Sequence, residues 1–220
     1  MCYLEIFWLK HAAFKIKTES GIIVYLDPFK VPKGEEKADI IISSHDHGDH
    51  FDEESINHIL KDSTLVLGPI SISKVLDKYK GKGLKLYEPF KVDDIKIEFI
   101  PAYNIKRKRE SGELFHPKER NWAGTILEIE GKKIYHAGDT ERIPEMKELA
   151  SRNIDVAMLP CGGMYTMDFE ESTDVAVDIK AKIVIPMHNW DKKMQEYKNI
   201  LTRKDSQIKV EILKNKSLKL

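Results

Sequence analysis

"SSHDHGDHFD", residues 43–52, sets three histidines and three aspartates within ten positions, directly after the apolar run "ADIII" at 38–42. Its three successive isoleucines, 40–42, read as a strand buried on both faces, so the cluster stands at the end of a buried strand. In extended backbone, side chains two residues apart leave on the same side, and His45 and His47 can grip one cation together. Gly48 allows the chain to turn, after which Asp49 and His50 can address a neighbouring ion. A solvated polar loop accounts poorly for this spacing. Three crowded imidazoles repel one another at low pH and gain from proximity only when they share a cation.

Two other metal motifs fail. An EF-hand loop needs oxygen ligands at alternate positions, but Gly48 and His50 follow Asp46. The H-E-x-x-H pair of helical zinc proteases is absent. Imidazole mixed with carboxylate suits Zn, Mn or Fe and not Ca. Six residues do not complete two coordination shells, so further ligands are expected at other strand ends. Asp139 ends "KKIYHAGDT" and His188 ends "KIVIPMHN", each after a buried apolar run. Open α/β architectures collect their sites at such strand ends. Alone, Asp139 would read as a turn or helix-capping aspartate and His188 as a core histidine. The demand for partners makes both candidate ligands.

The rest of the chain supports one α/β domain over 1–220, built of two similar halves. Strand-like runs "YLEIFWL", "AAFKIKT", "GIIVYLDPF" and "DIIISS" lead into a helix at "DEESINHILK". A strand over 63–68, a helix from Pro69 to Lys80 and a strand over 84–89 follow. The second half repeats the theme: a hairpin around Asp93-Asp94, strands on either side of Gly131, and a short helix in "IPEMKELASR". Next come a buried strand "IDVAMLP", a helix with Asp168 and Glu171 spaced as a capping box, a strand 182–189, a helix 192–203 and a last strand 208–214. Two such halves facing one another place two sheets inside and helices outside. The longest irregular segment is 103–123, and loops of that length are uncommon unless functional or disordered.

Composition removes several function classes. Apolar residues make up 41% of the 220, which suits a soluble globule, and no apolar run approaches the roughly 20 residues of a membrane span. The N-terminus does not read as a signal peptide. Lys plus Arg equals Asp plus Glu, 36 against 36, so net charge gives no long-range pull towards nucleic acid or an anionic membrane. Cys2 and Cys161 form neither a C-x-x-C pair nor a disulfide framework, and a reducing cytoplasm is the expected location. Cys161 reads as a buried structural cysteine, and Gly162 and Gly163 as a place for close backbone approach. The basic run 106–109 reads as a solvated loop, with steering of an anion as the rival. His11 and His136 are expected at strand positions in supporting roles, and His58 on a helix surface.

The order H-x-H-x-D-H, then "AGDT", then a strand-end histidine resembles the metallo-β-lactamase superfamily. Within it, "WLKHAAF", "YLDP", "PAYN", "YHAGDT" and "IPMHN" resemble the branch of metal-dependent hydrolases related to ascorbate-6-phosphate lactonase. The resemblance implies an αββα four-layer sandwich with a binuclear site at one edge. It implies that His45 and His47 bind the first metal, that Asp49, His50 and His188 bind the second, and that Asp139 bridges them. Asp27 would be the supporting aspartate. Many relatives carry a further metal-binding histidine where this chain has Asn104. Either the first metal is one ligand short or another residue supplies it. His116, on the adjoining segment, is the expected substitute, with a lid or surface histidine as the rival, and Asn104 would then orient substrate or water.

The expected cofactors are two divalent ions, Zn ahead of Mn or Fe. The expected reaction is attack by a metal-bound hydroxide on an ester, lactone or phosphodiester, with Asp49 orienting the nucleophile and carrying a proton. The two ions outweigh the carboxylates of Asp49 and Asp139, which favours a small anionic substrate. One rival is a non-catalytic or regulatory metal-binding protein of the same fold. A di-iron redox protein ranks below it, because the redox relatives replace the second histidine of the motif by Glu and this chain keeps His47.

Overall fold

The computed structural model describes residues 4–189, 193–214 and 216–220. Two units emerge, Met1–Glu88 with Leu213–Leu220, and Pro89–Ile212. Each holds one seven-stranded sheet.

In the first unit, β1 (Glu5–Lys10) and β2 (Ala13–Lys17) form an antiparallel hairpin. β2 pairs antiparallel with β3 (Ile23–Leu26), and β3 pairs parallel with β4 (Ile40–Ile42). Every residue of β3 and β4 is buried, as continuous apolar runs in a covered parallel pair require. Phe14, Ile16, Tyr25, Leu26, Ile41 and Ile42 are among its fully buried side chains, each worth about 1.5–3 kcal/mol on burial for the aliphatic and Phe cases. α1 (Glu53–Ile59) starts at Asp52, whose carboxylate accepts the amide of Glu54. Glu53 and Glu54 in the first turn suit the positive end of the helix dipole. β5 (Leu65–Pro69), a short α2 (Ser73–Leu76) and β6 (Lys82–Leu84) follow.

Two expectations fail in this unit. The segment 69–80 is not one helix. Single turns of 3₁₀ helix at 70–72 and 77–79 flank α2. β-branched Ile70, Ile72 and Val75 resist helix, and the Ser73 hydroxyl donates to the Ile70 carbonyl at 2.7 Å, a local bond that competes with the helical ladder. The strand expected over 84–89 lies earlier, at Lys82–Leu84, and Tyr87 at φ 63° cannot continue it. A further strand, β14 (Ser217–Lys219), pairs antiparallel with β1. Three residues are too few to show alternation in the sequence.

The second unit opens on the hairpin β7 (Phe90–Val92) and β8 (Ile95–Pro101), with Asp93 at φ 50° in the turn. β9 (Ala123–Ile129) and β10 (Lys132–His136) meet through Glu130 and Gly131, both left-handed at φ 49° and 72°. Two left-handed residues match the twist of the flanking strands. β11 (Val156–Pro160), β12 (Ile183–Met187) and β13 (Lys209–Val210) continue the sheet in parallel from β10. The expected last strand over 208–214 is thus two residues long.

α3 (Phe169–Asp178) begins at Asp168, whose side chain accepts the Glu171 amide. α4 (Met194–Lys204) meets it through Ser172 and Tyr197, whose hydroxyls lie 3.0 Å apart; Lys192, where this helix was expected to begin, lies outside the described residues. The segment 144–151 is 3₁₀ and not α-helical. Its buried residues, Met146 and Leu149, are three apart, the spacing that eclipses on a 3₁₀ helix. Cys161 is fully buried and its thiol points at the Met187 carbonyl at 3.4 Å. Cys2 lies outside the described residues. No helix among the described residues is long and apolar enough to cross a membrane.

Candidate metal centre

In the first unit, β3 and β4 run parallel and end side by side, so the residues just past them meet. Asp27, one residue beyond β3, takes the left-handed conformation at φ 44° and donates its amide to the Ile42 carbonyl at 2.9 Å. Its Oδ1 accepts the Ser44 amide at 2.6 Å, and its Oδ2 accepts the Ser44 hydroxyl at 2.7 Å. The same Oδ2 accepts from His50 Nδ1 at 2.6 Å. With its own proton directed at Asp27, Ser44 Oγ accepts from His45 Nδ1 at 2.9 Å. Both rings are thereby held with the proton on Nδ1, which makes Nε2 the ligating nitrogen.

His47 presents its other nitrogen. Its Nδ1 lies 3.1 Å from His45 Nε2. A tetrahedral zinc ion with Zn–N bonds of about 2.0–2.1 Å sets its ligand nitrogens roughly 3.3 Å apart, so this pair fits one ion. Asp49 Oδ2 stands 3.2 Å from His11 Nε2, and Asp49 Oδ1 stands 4.0 Å from His50 Nε2. The donor atoms of His11, Asp49 and His50 all lie within 4.8 Å of one another. Asp49 is the open member, with its side chain 32% exposed against 0% for His50.

In the second unit the parallel strands β10, β11 and β12 end together in the same way. Asp139 lies just beyond β10, and His188 follows β12 directly at φ 50°. His188 Nε2 is 3.1 Å and His116 Nε2 is 3.3 Å from Asp139 Oδ2. All three residues are buried. One carboxylate oxygen flanked by two imidazole nitrogens is a donor set that a divalent cation satisfies.

Asn104 is buried and both ends of its amide are engaged. Its Oδ1 accepts the His116 backbone amide and His116 Nδ1, each at 2.8 Å, and its Nδ2 donates to the Tyr165 carbonyl at 3.0 Å. The expected task of binding substrate would require these bonds to open. The segment around 103–121 is an excursion closed by an isolated bridge between Lys108 and Leu114 and by a 3₁₀ turn at 118–120.

Other residues stand differently from the sequence reading. His11 is not at a strand position. It occupies the turn between β1 and β2 at φ 54°, just past the register shift between Trp8 and Lys10, and its carbonyl accepts from the Trp8 indole at 2.8 Å. Gly48 is not in the left-handed region, and a Cβ there would meet no atom within 4 Å, so the turn does not require glycine. His136 is a buried strand residue, as expected. His58 is half-buried, with Nδ1 2.8 Å from the Val31 carbonyl.

The run 106–109 is not simply solvated. Arg107 is mostly buried and bonds Glu141 at 3.1 Å, the Gly163 carbonyl at 3.0 Å, and Glu171. Burial alone would lower the Arg107 pKa, but Glu171 and Glu141 outweigh it and raise it. Burial would raise Glu171, while Arg107 and Lys106 hold it below the usual glutamate value. Only half of the capping box forms for that reason: Glu171 gives its side chain to Arg107.

A family model described as "Beta-lactamase superfamily domain" matches residues 5–188. The chain belongs to that superfamily. A curated UPF0173 metal-dependent hydrolase from Geobacillus is 33% identical over 193 residues, covering 81% of this chain and 82% of the relative. A crystal structure from Parabacteroides distasonis, assigned to the metal-dependent hydrolases, is 36% identical with a TM-score of 0.85, covering 95% of this chain and 92% of that one. A metallo-β-lactamase fold protein from Bacillus subtilis, 12% identical, reaches a TM-score of 0.76 over the full length of both chains. It bears on the fold alone. This superfamily member has the metallo-β-lactamase fold, an α/β architecture.

Proposed function

We propose that this chain is a metal-dependent hydrolase of an ester, lactone or phosphodiester carrying an anionic group. The ligands proposed are His45, His47, Asp49, His50, His116, Asp139 and His188. The observation that carries the reading is that the inward histidines are aimed by partners. Asp27 and Ser44 hold His50 and His45 in one tautomer, and orienting bonds of this kind accompany metal-binding imidazoles. Kinship agrees, since the similar Geobacillus protein carries the name metal-dependent hydrolase.

Divalent ions, two in this reading and zinc first among them, supply a Lewis acid that polarises the scissile group and acidifies water. The chain's own residues do the rest. Asp49 is exposed enough to meet a reacting water, and His11 beside one carboxylate oxygen fixes its orientation. From there Asp49 can take a proton from the attacking water and pass it to the leaving oxygen. Only Asp49 and Asp139 among the proposed ligands carry negative charge, so with its ions the centre is electropositive and favours an anionic substrate.

Elemental analysis of protein purified without tags or chelators, with assays on p-nitrophenyl esters, lactones and bis(p-nitrophenyl) phosphate, tests the proposal. The expected result is about two ions per chain, with activity lost on chelation and restored by zinc or manganese. Asp49→Asn should cut kcat by roughly 10²–10⁴-fold while retaining the fold. Hydrolysis that survives chelation would sink the reading. Metal-loaded protein inert on every substrate class would move the non-catalytic binding protein ahead.

A further inference from the structure

Asn104 and His116 are joined by three hydrogen bonds. The Asn104 amide donates to the His116 carbonyl at 2.7 Å, and Asn104 Oδ1 takes both the amide and the Nδ1 of His116. The orientation of the Asn104 amide is determined: Oδ1 faces a backbone N–H, and Nδ2 faces the Tyr165 carbonyl. An oxygen opposite His116 Nδ1 requires that Nδ1 carry the proton, which leaves Nε2, 3.3 Å from Asp139 Oδ2, as the ring's basic nitrogen.

The segment that carries Asn104 is itself clamped to the strand end that carries Asp139. Thr140 Oγ1 accepts the Tyr103 amide at 3.2 Å, and the Tyr103 carbonyl accepts the Glu141 amide at 3.0 Å. The buried Glu141 carboxylate then accepts three successive amides, those of Ile105, Lys106 and Arg107, at 2.9, 2.9 and 2.7 Å. Asn104 is therefore gripped on both sides by residues 140 and 141. An irregular loop acquires the rigidity of a strand end at one position.

We infer that Asn104 is a positioning residue that fixes the tautomer and aim of His116, and that Glu141 is the anchor that fixes Asn104 relative to Asp139. The inference rests on the proposed reading of His116 as a metal ligand. It turns the asparagine at this position from a missing ligand into the support of one supplied from the loop. Orienting partners of this kind hold ligating histidines in the productive tautomer, and their loss costs roughly 10–100-fold in metal affinity.

The experiment has two readouts. Long-range ¹H–¹⁵N spectra of the metal-free, ¹⁵N-labelled full chain at pH 8 report which nitrogen of His116 is protonated, with His116→Ala supplying the assignment. Zinc affinity by chelator competition is then compared among wild type, His116→Ala and Asn104→Ala. The expected result is an Nδ1–H ring in wild type and a mixed population in Asn104→Ala, with zinc bound roughly 10–100-fold more weakly. An Nε2–H ring in wild type overturns the inference. So does an Asn104→Ala protein that binds zinc normally while His116→Ala does not. Unchanged affinity in His116→Ala removes His116 from the ligand set; that is failure of the earlier reading, and the tautomer, read without metal, still decides this one.

Discussion

The Asp27 carboxylate and the His50 ring meet at 2.6 Å between Oδ2 and Nδ1, with side-chain exposures of 1% and 0%. The same oxygen takes the Ser44 hydroxyl, which in turn accepts from His45. One carboxylate thus sets two histidines of the cluster. Asp27→Asn keeps the size but offers an N–H where an acceptor is needed. Metal affinity should fall by roughly 10–100-fold, read by chelator competition, with a greater loss than for Ser44→Ala, which removes the His45 acceptor but leaves the Asp27–His50 bond in place.

Arg107 and Glu141 are both largely buried, and Arg107 also bridges to Glu171. Removing Arg107 takes away the cation but leaves Glu141 its three backbone amides. Arg107→Ala should therefore lower unfolding free energy by about 1.5–3 kcal/mol, the range for a lost hydrogen bond to a charged group, seen as a lower urea midpoint at unchanged slope. A loss below about 0.5 kcal/mol would mean that the amides and water hold Glu141 without the arginine.

Glu171 predicts an acid limb. Its carboxyl is held below the usual value of 4.5, against the opposing effect of burial, by Arg107 and Lys106. Near pH 4.5 the unfolded chain binds more protons at this group than the native one. The contribution is fully present above the unfolded value and disappears as pH falls through the lower folded value. Thermal melts of wild type and Glu171→Gln should differ most at neutral pH and converge in the acid range. A constant gap across that range would show that the carboxylate charge is not what matters.

Gly48 interrupts the histidine motif without being required by the backbone. Gly48→Ala should leave the melting temperature unchanged or raise it, since alanine reduces the freedom of the unfolded chain by about 0.4–1 kcal/mol. If Gly48→Ala keeps its stability and metal content but loses activity, the open space above residue 48 is where substrate passes.

Much of this was legible beforehand, and for physical reasons. Buried parallel strands such as β4, β11 and β12 announce themselves as unbroken apolar runs, and hairpin turns at Asp93 and Gly131 by residues that tolerate left-handed backbone. The ligand candidates were visible because metal chemistry draws on few residue types. What stayed hidden depends on contacts distant in sequence. The aim of His116 is set by Asn104, twelve residues away, and the fate of Arg107 by Glu141 and Glu171. His11 was obscured because it sits in the two-residue turn between Lys10 and Ala13, where no Gly, Asn or Asp marks a turn in the sequence. Segments 69–80 and 144–151 broke into 3₁₀ turns because short helices depend on packing more than on propensity.

β14 has a consequence for handling the protein. Its three residues pair with Glu5, Ile6 and Phe7, and the Leu220 amide closes onto the Leu4 carbonyl at 3.0 Å. They occupy the outer rim of the first sheet, where β1 would otherwise present a ladder of bare peptide groups beside Phe7 and Trp8. Such a rim invites a strand from a second molecule. A protein clipped after residue 212 should therefore gather into oligomers and fibrillar material, and a purification handle is better joined through a spacer than directly onto Leu220.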